Sequence, residues 1–570
     1  MNCSMKFKMT TVALLVGSAM QANAALYKVV EVDPAQNGST SSYNEAYGVA
    51  IQAGNVYQDS GKTLPFDKGC FDNAAACGDE QFKLALETRI SVDGVSYREE
   101  VPFAMDPAFS YIQDYDDFRT YCFRELRYST CDTWASVHWA PWSKELSKDY
   151  TSNALAFVEG ASNAYDNKYN NVINSLTEAG LPVGNQSVVK ADQTALETRN
   201  TVVAPVVPNG DFYQSRAWKT DGSYTSGSIA TSATNDYGSH HTSKAAIWDQ
   251  NGNVSQIVWP QGGDRDRNRL AQGSMRDFAL LRDENDKPIT IYGVGYNTFS
   301  DDNYLNASVF VGTIDDSAFD KTTWETKVVS GAQMKIGSDI IHSNSVVTNV
   351  NDKFVAVGEA KRSGSKPSEG AAANRLFLIE DVTADSISAT FLTSLDNLFF
   401  SGAGGKMGGI NNYNEIVGQV DAEDTREIDG KERRKRGFIF PYGGAGANQE
   451  RRAIFNDKAW FLDDLTNGSN APTSNNQYRI VDASDINDAG VISATAIKCD
   501  GGYDSTSHNA YCGGGSKDET IVAVKLVPIA GATSADIEAR PVDKAAAERK
   551  GAGLGWLSLT LLVFFGFRRK

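Results

Sequence analysis

Three segments of this chain read alike, and that likeness constrains the fold more than any other feature. They are Val350–Gly358 (VNDKFVAVG), Ile410–Gly418 (INNYNEIVG) and Ile486–Ala494 (INDAGVISA). Each runs apolar residue, Asn, turn residues, then an apolar strand. Each is followed by a polar stretch and a second apolar strand: Leu376–Ile379, Gly437–Phe440 and Ile521–Val524. A looser copy joins Ile289–Gly295 to Val309–Val311, and Ala246–Trp248 fits the closing strand of an earlier one. Asn and Asp tolerate left-handed backbone and bond their own main chain, so Asn-x-x-Gly and Asn-Asp make tight turns. Asn351, Asn411 and Asn487 are therefore expected to be turn formers rather than ligands. A sheet built from one such unit cannot bury both faces alone and must stack on its neighbours. Radial stacking predicts a mainly β fold, a β-propeller-like array of repeated small antiparallel sheets.

The N-terminal half is less regular. Residues 25–60 read as strands and turns, and 66–142 hold two cysteine pairs and many aromatics. Residues 143–200 are expected to be partly helical, with Ser143 capping one helix over Lys144–Leu146 and a second ending at Gly180 before Pro182. The expected layout is a signal segment at 1–24 and an irregular part at 25–230 carrying the first strands and a partly helical, disulfide-containing insertion. Propeller-like repeats follow at 231–529, then a tether at 530–550 and a tail at 551–570.

Both ends carry targeting features. Lys6 and Lys8 precede the apolar stretch Met9–Met20, and Ala22-Asn23-Ala24 fits the small-x-small cleavage rule. Signal peptidase is expected to cut between Ala24 and Ala25. At the other end, Gly551-Ala552-Gly553 precedes the apolar run Leu554–Phe567, and Arg568, Arg569 and Lys570 close the chain. A helix over that run would span about 21 Å, short of the roughly 30 Å of bilayer hydrocarbon. A segment held there keeps its basic end cytoplasmic and the body outside the inner membrane.

The formal net charge is −17, and removing Lys6, Lys8, Arg568, Arg569 and Lys570 leaves the body near −22. Such a body argues against nucleic acid, whose phosphates call for Lys and Arg. It suits an exported protein and leaves carboxylates for a divalent cation such as calcium. Six cysteines remain after Cys3 leaves with the signal. They lie in three close pairs, Cys70 with Cys77, Cys122 with Cys131 and Cys499 with Cys512, read as local disulfides in an oxidising compartment.

No catalytic signature stands out. Neither HExxH nor GxSxG occurs. His240-His241 sits in a Gly/Ser/Thr-rich stretch read as an exposed loop. Trp134, Trp139 and Trp142, with His138, offer a candidate ligand surface, since exposed tryptophans stack on sugars and partners; packing as a small core is the competing reading. Asp114, Asp116 and Asp117 are candidate calcium ligands. Asp249–Asn253 reads as a turn, and Asp485 and Asp488 remain open. Lys431–Arg436 reads as a solvated hairpin tip or a protease-sensitive site.

The tail Gly551, Gly553, the apolar run, Arg568 and Arg569 resemble the GlyGly-CTERM sorting signal of Gram-negative bacteria, with Ala552 interrupting the usual glycine pair. That resemblance implies trimming by a rhomboid-type protease and passage to the cell surface by type II secretion; an untrimmed tail leaves an inner-membrane anchor facing the periplasm. Ile410–Gly418 with Phe438–Phe440 resembles the HAF-type extracellular repeat, Asn414 standing in place of its glycine. With Ala25–Val32 and the sorting tail, the layout resembles domain-of-unknown-function family 3466, which brings no known activity. The expected function is a binding or interaction module of the cell surface or periplasm, with no cofactor evident. The alternatives are a hydrolase or lyase acting on extracellular polysaccharide and a structural envelope protein. An enzyme requires carboxylates, or a His with partners, converging in one pocket.

Overall fold

The computed structural model describes residues 25–543, except 38–42, 55, 60–61, 66–68, 73–76, 79–80, 91–113, 124–130, 161–164, 166, 168, 236–237, 261–270, 300–304, 316, 334, 337–338, 341–344, 362–368, 370–373, 428–432 and 469–470. The signal segment and the sorting tail lie outside the described residues. Among the described residues no helix is long and apolar enough to cross a membrane.

The chain is a β-propeller. Five small antiparallel sheets, four of four strands and one of three, form a ring with the two halves of a seven-stranded sheet. The first strands of these blades are Glu45–Ile51, Tyr169–Leu176, Gln214–Thr220, Gly273–Arg282, Ser345–Val350, Gly405–Ile410 and Tyr478–Ile486. Each packs against the first strand on either side, and the last packs against the first. These strands therefore line the axis, and the later strands of each blade radiate outward. The halves of the large sheet meet through one parallel pair, Glu45 with Ile521. The ring is fastened by the earliest described strand, Tyr27–Glu31, which pairs antiparallel with the last, Glu519–Pro528, in the register Tyr27 to Pro528.

The core lies between blades. Val417 and Ile439 of one blade meet Ile480, Ala483 and Ile492 of the next. Val357, Leu376 and Leu378 likewise meet Met407, Ile416 and Phe438. Strands apolar on both faces are what a sheet covered on both sides requires.

The Asn repeat has a direct structural cause. Asn351 Oδ1 accepts the N–H groups of Lys353 and Val355, both at 3.0 Å. Asn411 does the same for Tyr413 and Glu415, and Asn487 accepts from Val491. Three residues after each Asn the backbone is left-handed: Phe354 at φ 62°, Asn414 at 60° and Gly490 at 84°. The side-chain amide then reaches the next blade. Asn351 donates to the carbonyl of Asn411, Asn411 to that of Asn487, and Asn487 to that of Gln52. The repeated Asn thus closes a turn and ties neighbouring blades together, which explains its regular recurrence.

The N-terminal half departs from expectation. Beyond Leu146, the regular elements described between residues 143 and 200 are strands. The helix expected to start at Ser143 begins at Cys131 and ends at Leu146, and Ser143 Oγ bonds the Ala140 carbonyl inside it. No helix ends at Gly180: Tyr169–Leu176 and Pro182–Val189 form a hairpin whose turn uses Gly180 at φ 73°. The same glycine that can stop a helix can make a tight turn, and neighbouring blades decide the outcome. The helices Tyr115–Tyr121 and Cys131–Leu146 lie between the paired strands Leu84–Arg89 and Ala154–Val158, so they are an insertion within a blade. The division drawn at residue 230 falls inside the strand Tyr224–Asn235, and strands on both sides of it belong to the ring. All three local cysteine pairs are bridged, with Cα separations of 5.5–5.6 Å.

Candidate functional site: the propeller axis

Every inner strand carries a β-bulge against its partner. The extra residues are Val49, Asn174, Trp218, Arg276, Thr348, Gly408 and Ser484. A bulge re-aims side chains and bends the strand, and bulges gather beside functional sites. The residues that follow are Ala50, Ser175, Lys219, Asp277, Asn349, Gly409 and Asp485.

Several side chains at these positions link one inner strand to the next. Asn174 Nδ2 and Ser175 Oγ donate to the carbonyls of Ala217 and Trp218, both at 2.7 Å. Asp277 Oδ2 accepts from Val350 N–H at 3.2 Å while its Oδ1 accepts from Phe278. Asp485 repeats this pattern, with Oδ2 taking Ile51 N–H at 3.0 Å and Oδ1 taking that of Ile486. The two carboxylates are equivalent staples in different blades, and each of their four oxygens already holds a backbone N–H.

Their electrostatics follow from position. Burial pushes the Asp277 carboxyl up to about 6, against the opposing pull of Lys219 and the backbone N–H groups. Burial likewise raises Asp485. Lys219 is half-buried; burial alone would lower its ammonium, and the carboxylates of Asp277, Asp485, Asp488 and Asp352 together outweigh it and raise it. Asp352 and Asp488 stand at the Asn-turn end of the inner strands, where Asn412 Nδ2 donates to both, at 3.1 and 2.9 Å. One lysine therefore sits in the field of four carboxylates.

One residue earlier in the same two strands the character changes. The Arg276 guanidinium lies 3.5 Å from the Trp218 ring centroid and 5.5 Å from that of Tyr296. Among the described residues, Arg276 Nε and Trp218 Nε1 are buried and have no hydrogen-bond partner. In the same strand as Arg276, Ser274 Oγ is also buried without a partner among the described residues. Together these side chains give the axis polar groups not consumed by the fold.

The residues named from sequence lie elsewhere. Trp134 stacks on His138 at 3.7 Å, and both join Trp139 around buried Phe118. Trp134 and Trp139 are half-buried and part of a small core; the side chain of Trp142 lies outside the description. Asp114 caps the helix Tyr115–Tyr121 by accepting from Asp117 N–H, and Asp116 pairs with Arg119. Asp249 closes its turn through Asn251 and Asn253. Among the described residues no group of three or more His, Cys, Asp or Glu is placed to hold a metal ion. His240 and His241 belong to the strand Gly238–Asp249, paired with Tyr224–Asn235, and not to a loop. The basic run is not a solvated tip over its described part. Arg433 is buried against Asp421 at 3.3 Å, and Arg436 Nε lies 2.9 Å from Asp463 Oδ2, off the line of its N–H.

Two buried polar hubs also escaped sequence reading. Arg451 forks onto Glu415 at 2.7 and 2.8 Å and stacks on Tyr413. Near the C-terminal end of the described chain, His508 Nε2 is 3.0 Å from Asp464 Oδ1, which also accepts Arg540 N–H. Asp463 is held at about 2: burial opposes ionisation, but His508, Arg436 and Arg540 favour it. These contacts link residues far apart in sequence, and composition gives no hint of their pairing.

The fold and axis define a propeller whose inner strands carry charged and partly unsatisfied side chains. The chain matches the family described as "Protein of unknown function (DUF3466)" over residues 4–207 and 228–570, and it belongs to that family. No curated protein matches it. Among solved structures, one described as a glycoside hydrolase aligns at 9% identity with a TM-score of 0.25, covering 60% of this chain and 92% of the other. Another, described as a BT0996 RGII complex, aligns at 10% identity and a TM-score of 0.23, covering 56% and 89%. Likenesses at that level carry no argument about function.

Proposed function

We propose that this protein is an exported binding module that receives its ligand at the propeller axis. The observation that carries the reading is the pair Trp218 and Arg276, two bulged residues of adjacent inner strands with buried donors that no group among the described residues satisfies. Buried polar atoms ordinarily find partners, so two such exceptions in contact with each other at the axis of a ring favour a ligand site. The two axial carboxylates serve as strand staples, which favours binding over acid–base chemistry.

Three disulfides fit an oxidising compartment. Ala25 is fully buried, and Leu26 N–H bonds the Leu465 carbonyl, so a chain cut by signal peptidase after Ala24 retains the whole propeller. Trimming of the Gly551–Gly553 tail by a rhomboid-type protease, with delivery by type II secretion, completes the proposed route to the surface. Fractionation of the native host with intact-mass analysis tests the route: loss of Leu554–Lys570 with the body at the surface supports it, and an intact tail in the inner membrane overturns it. A panel of neutral and acidic sugars and peptides, titrated onto the protein purified from its host, tests the binding role. Silence across the panel overturns that role.

A further inference from the structure

Resting on the reading of the axis as a ligand site, we infer that Arg276 anchors a monocarboxylate group of the ligand, with Trp218 as platform and second donor.

Position comes first. Arg276 is the bulged residue of an inner strand, and its guanidinium lies over Trp218, the bulged residue of the neighbouring inner strand. A guanidinium stacked by its face keeps its in-plane N–H fork for hydrogen bonding, and that fork matches a carboxylate. Trp218 Nε1 contributes another N–H without an acceptor among the described residues.

Next comes the missing partner. Three other buried arginines have a carboxylate: Arg451 has Glu415 at 2.7 Å, Arg433 has Asp421 at 3.3 Å and Arg436 has Asp463 at 2.9 Å; buried Arg479 and Arg540 are held instead by backbone carbonyls and Asn476. Among the described residues Arg276 has no such ion pair, and its Nε is buried without an acceptor. The chain has 71 acidic residues against 54 basic ones, so carboxylates are not scarce. The adjacent Asp277 is occupied by two backbone N–H groups. Leaving a partly desolvated cation unmatched is costly unless a ligand supplies the anion.

The class follows from the surroundings. Donors without acceptors call for an acceptor-only group. Asp277 and Asp485 lie farther along the axis in a body of strongly negative charge, which disfavours a dianion. A singly charged carboxylate fits both conditions.

Isothermal titration of the full-length protein tests this, with galacturonate, lactate, galactose and inorganic phosphate as probes. Binding of galacturonate or lactate, abolished in Arg276→Gln and retained more weakly in Arg276→Lys, is the expected result. Which carboxylate binds tells an acidic sugar from a simple hydroxy acid. Trp218→Phe keeps an aromatic face and removes the N–H, and should weaken binding without abolishing it, covering the case where Arg276→Gln does not fold. Phosphate binding with both carboxylates silent overturns the class, and carboxylate binding unchanged in Arg276→Gln overturns the site. Galactose binding alone overturns this inference while leaving the binding module standing.

Discussion

Asn411 donates a side-chain N–H to the backbone carbonyl of Asn487, 3.1 Å away across 76 residues of sequence. The same amide nitrogen reaches Glu415 Oε2 at 2.6 Å, and its oxygen holds the N–H groups of Tyr413 and Glu415. One buried side chain thus closes its own turn and fixes the next blade. Asn411→Ala leaves several buried groups unpaired and should cost about 2–4 kcal/mol. Urea unfolding checks this. A loss no larger than that of an exposed Asn→Ala control would show that the links do not hold the blades.

The propeller was legible because its unit repeats. Three Asn turns with alternating strands announce stacked sheets, and Asn351, Asn411 and Asn487 are the turn formers their spacing suggests. The axis was not legible. A bulge depends on one strand holding an extra residue against its partner, and nothing in Ala217-Trp218-Lys219 marks that slip. Asp277 and Asp485 are equivalent only once the ring is assembled. The tryptophans after Cys131 drew attention by composition, whereas Trp218 gains its place from Arg276, 58 positions on in the numbering. Residues 143–200 misled because Gly180 and Pro182 serve a hairpin turn as readily as a helix end.

Lys219 predicts an unusual pH response. Asp277 holds its proton more tightly folded than unfolded, moving from 3.8 to about 6. Stability therefore falls as pH rises from about 4 to about 6, by about 3 kcal/mol for this group. Lys219 limits that loss by favouring the ionised carboxylate. Lys219→Met should push Asp277 and Asp485 higher, so it destabilises more at pH 8, where they must ionise, than at pH 5. Urea midpoints of both proteins at the two pH values decide the matter. An equal loss at both would assign Lys219 a packing role only.

The Cys499–Cys512 bridge closes a loop whose carbonyls serve three buried arginines. Ser505 and Ser507 accept from Arg479, Thr506 from Arg540 and His508 from Arg436. A bridge spanning 13 residues stabilises by about 3 kcal/mol in the loop-entropy account. The double variant Cys499→Ala/Cys512→Ala should lose that much and expose residues 500–515 to protease first. Uniform protection of that loop in the variant would show that the arginines hold it without the bridge.

His508 should make the hold on the C-terminal segment depend on pH. Its ring sits between Asp463 and Asp464, and its backbone N–H bonds the Pro541 carbonyl. Burial would lower the imidazole, and the two carboxylates outweigh burial and raise it above 6.5. A group whose folded value is raised contributes its full stabilisation below the unfolded value and loses it as pH climbs through the folded one. The contribution is therefore complete below about pH 6 and fades above neutrality. Asp463 does not titrate in this window, because its carboxyl is held at about 2. His508→Gln should lower the urea midpoint clearly at pH 5.5 and little at pH 8.5, where the wild-type imidazole is losing its proton. A variant equally impaired at both values would show that His508 acts through its shape and neutral hydrogen bonds, with no charge on the ring.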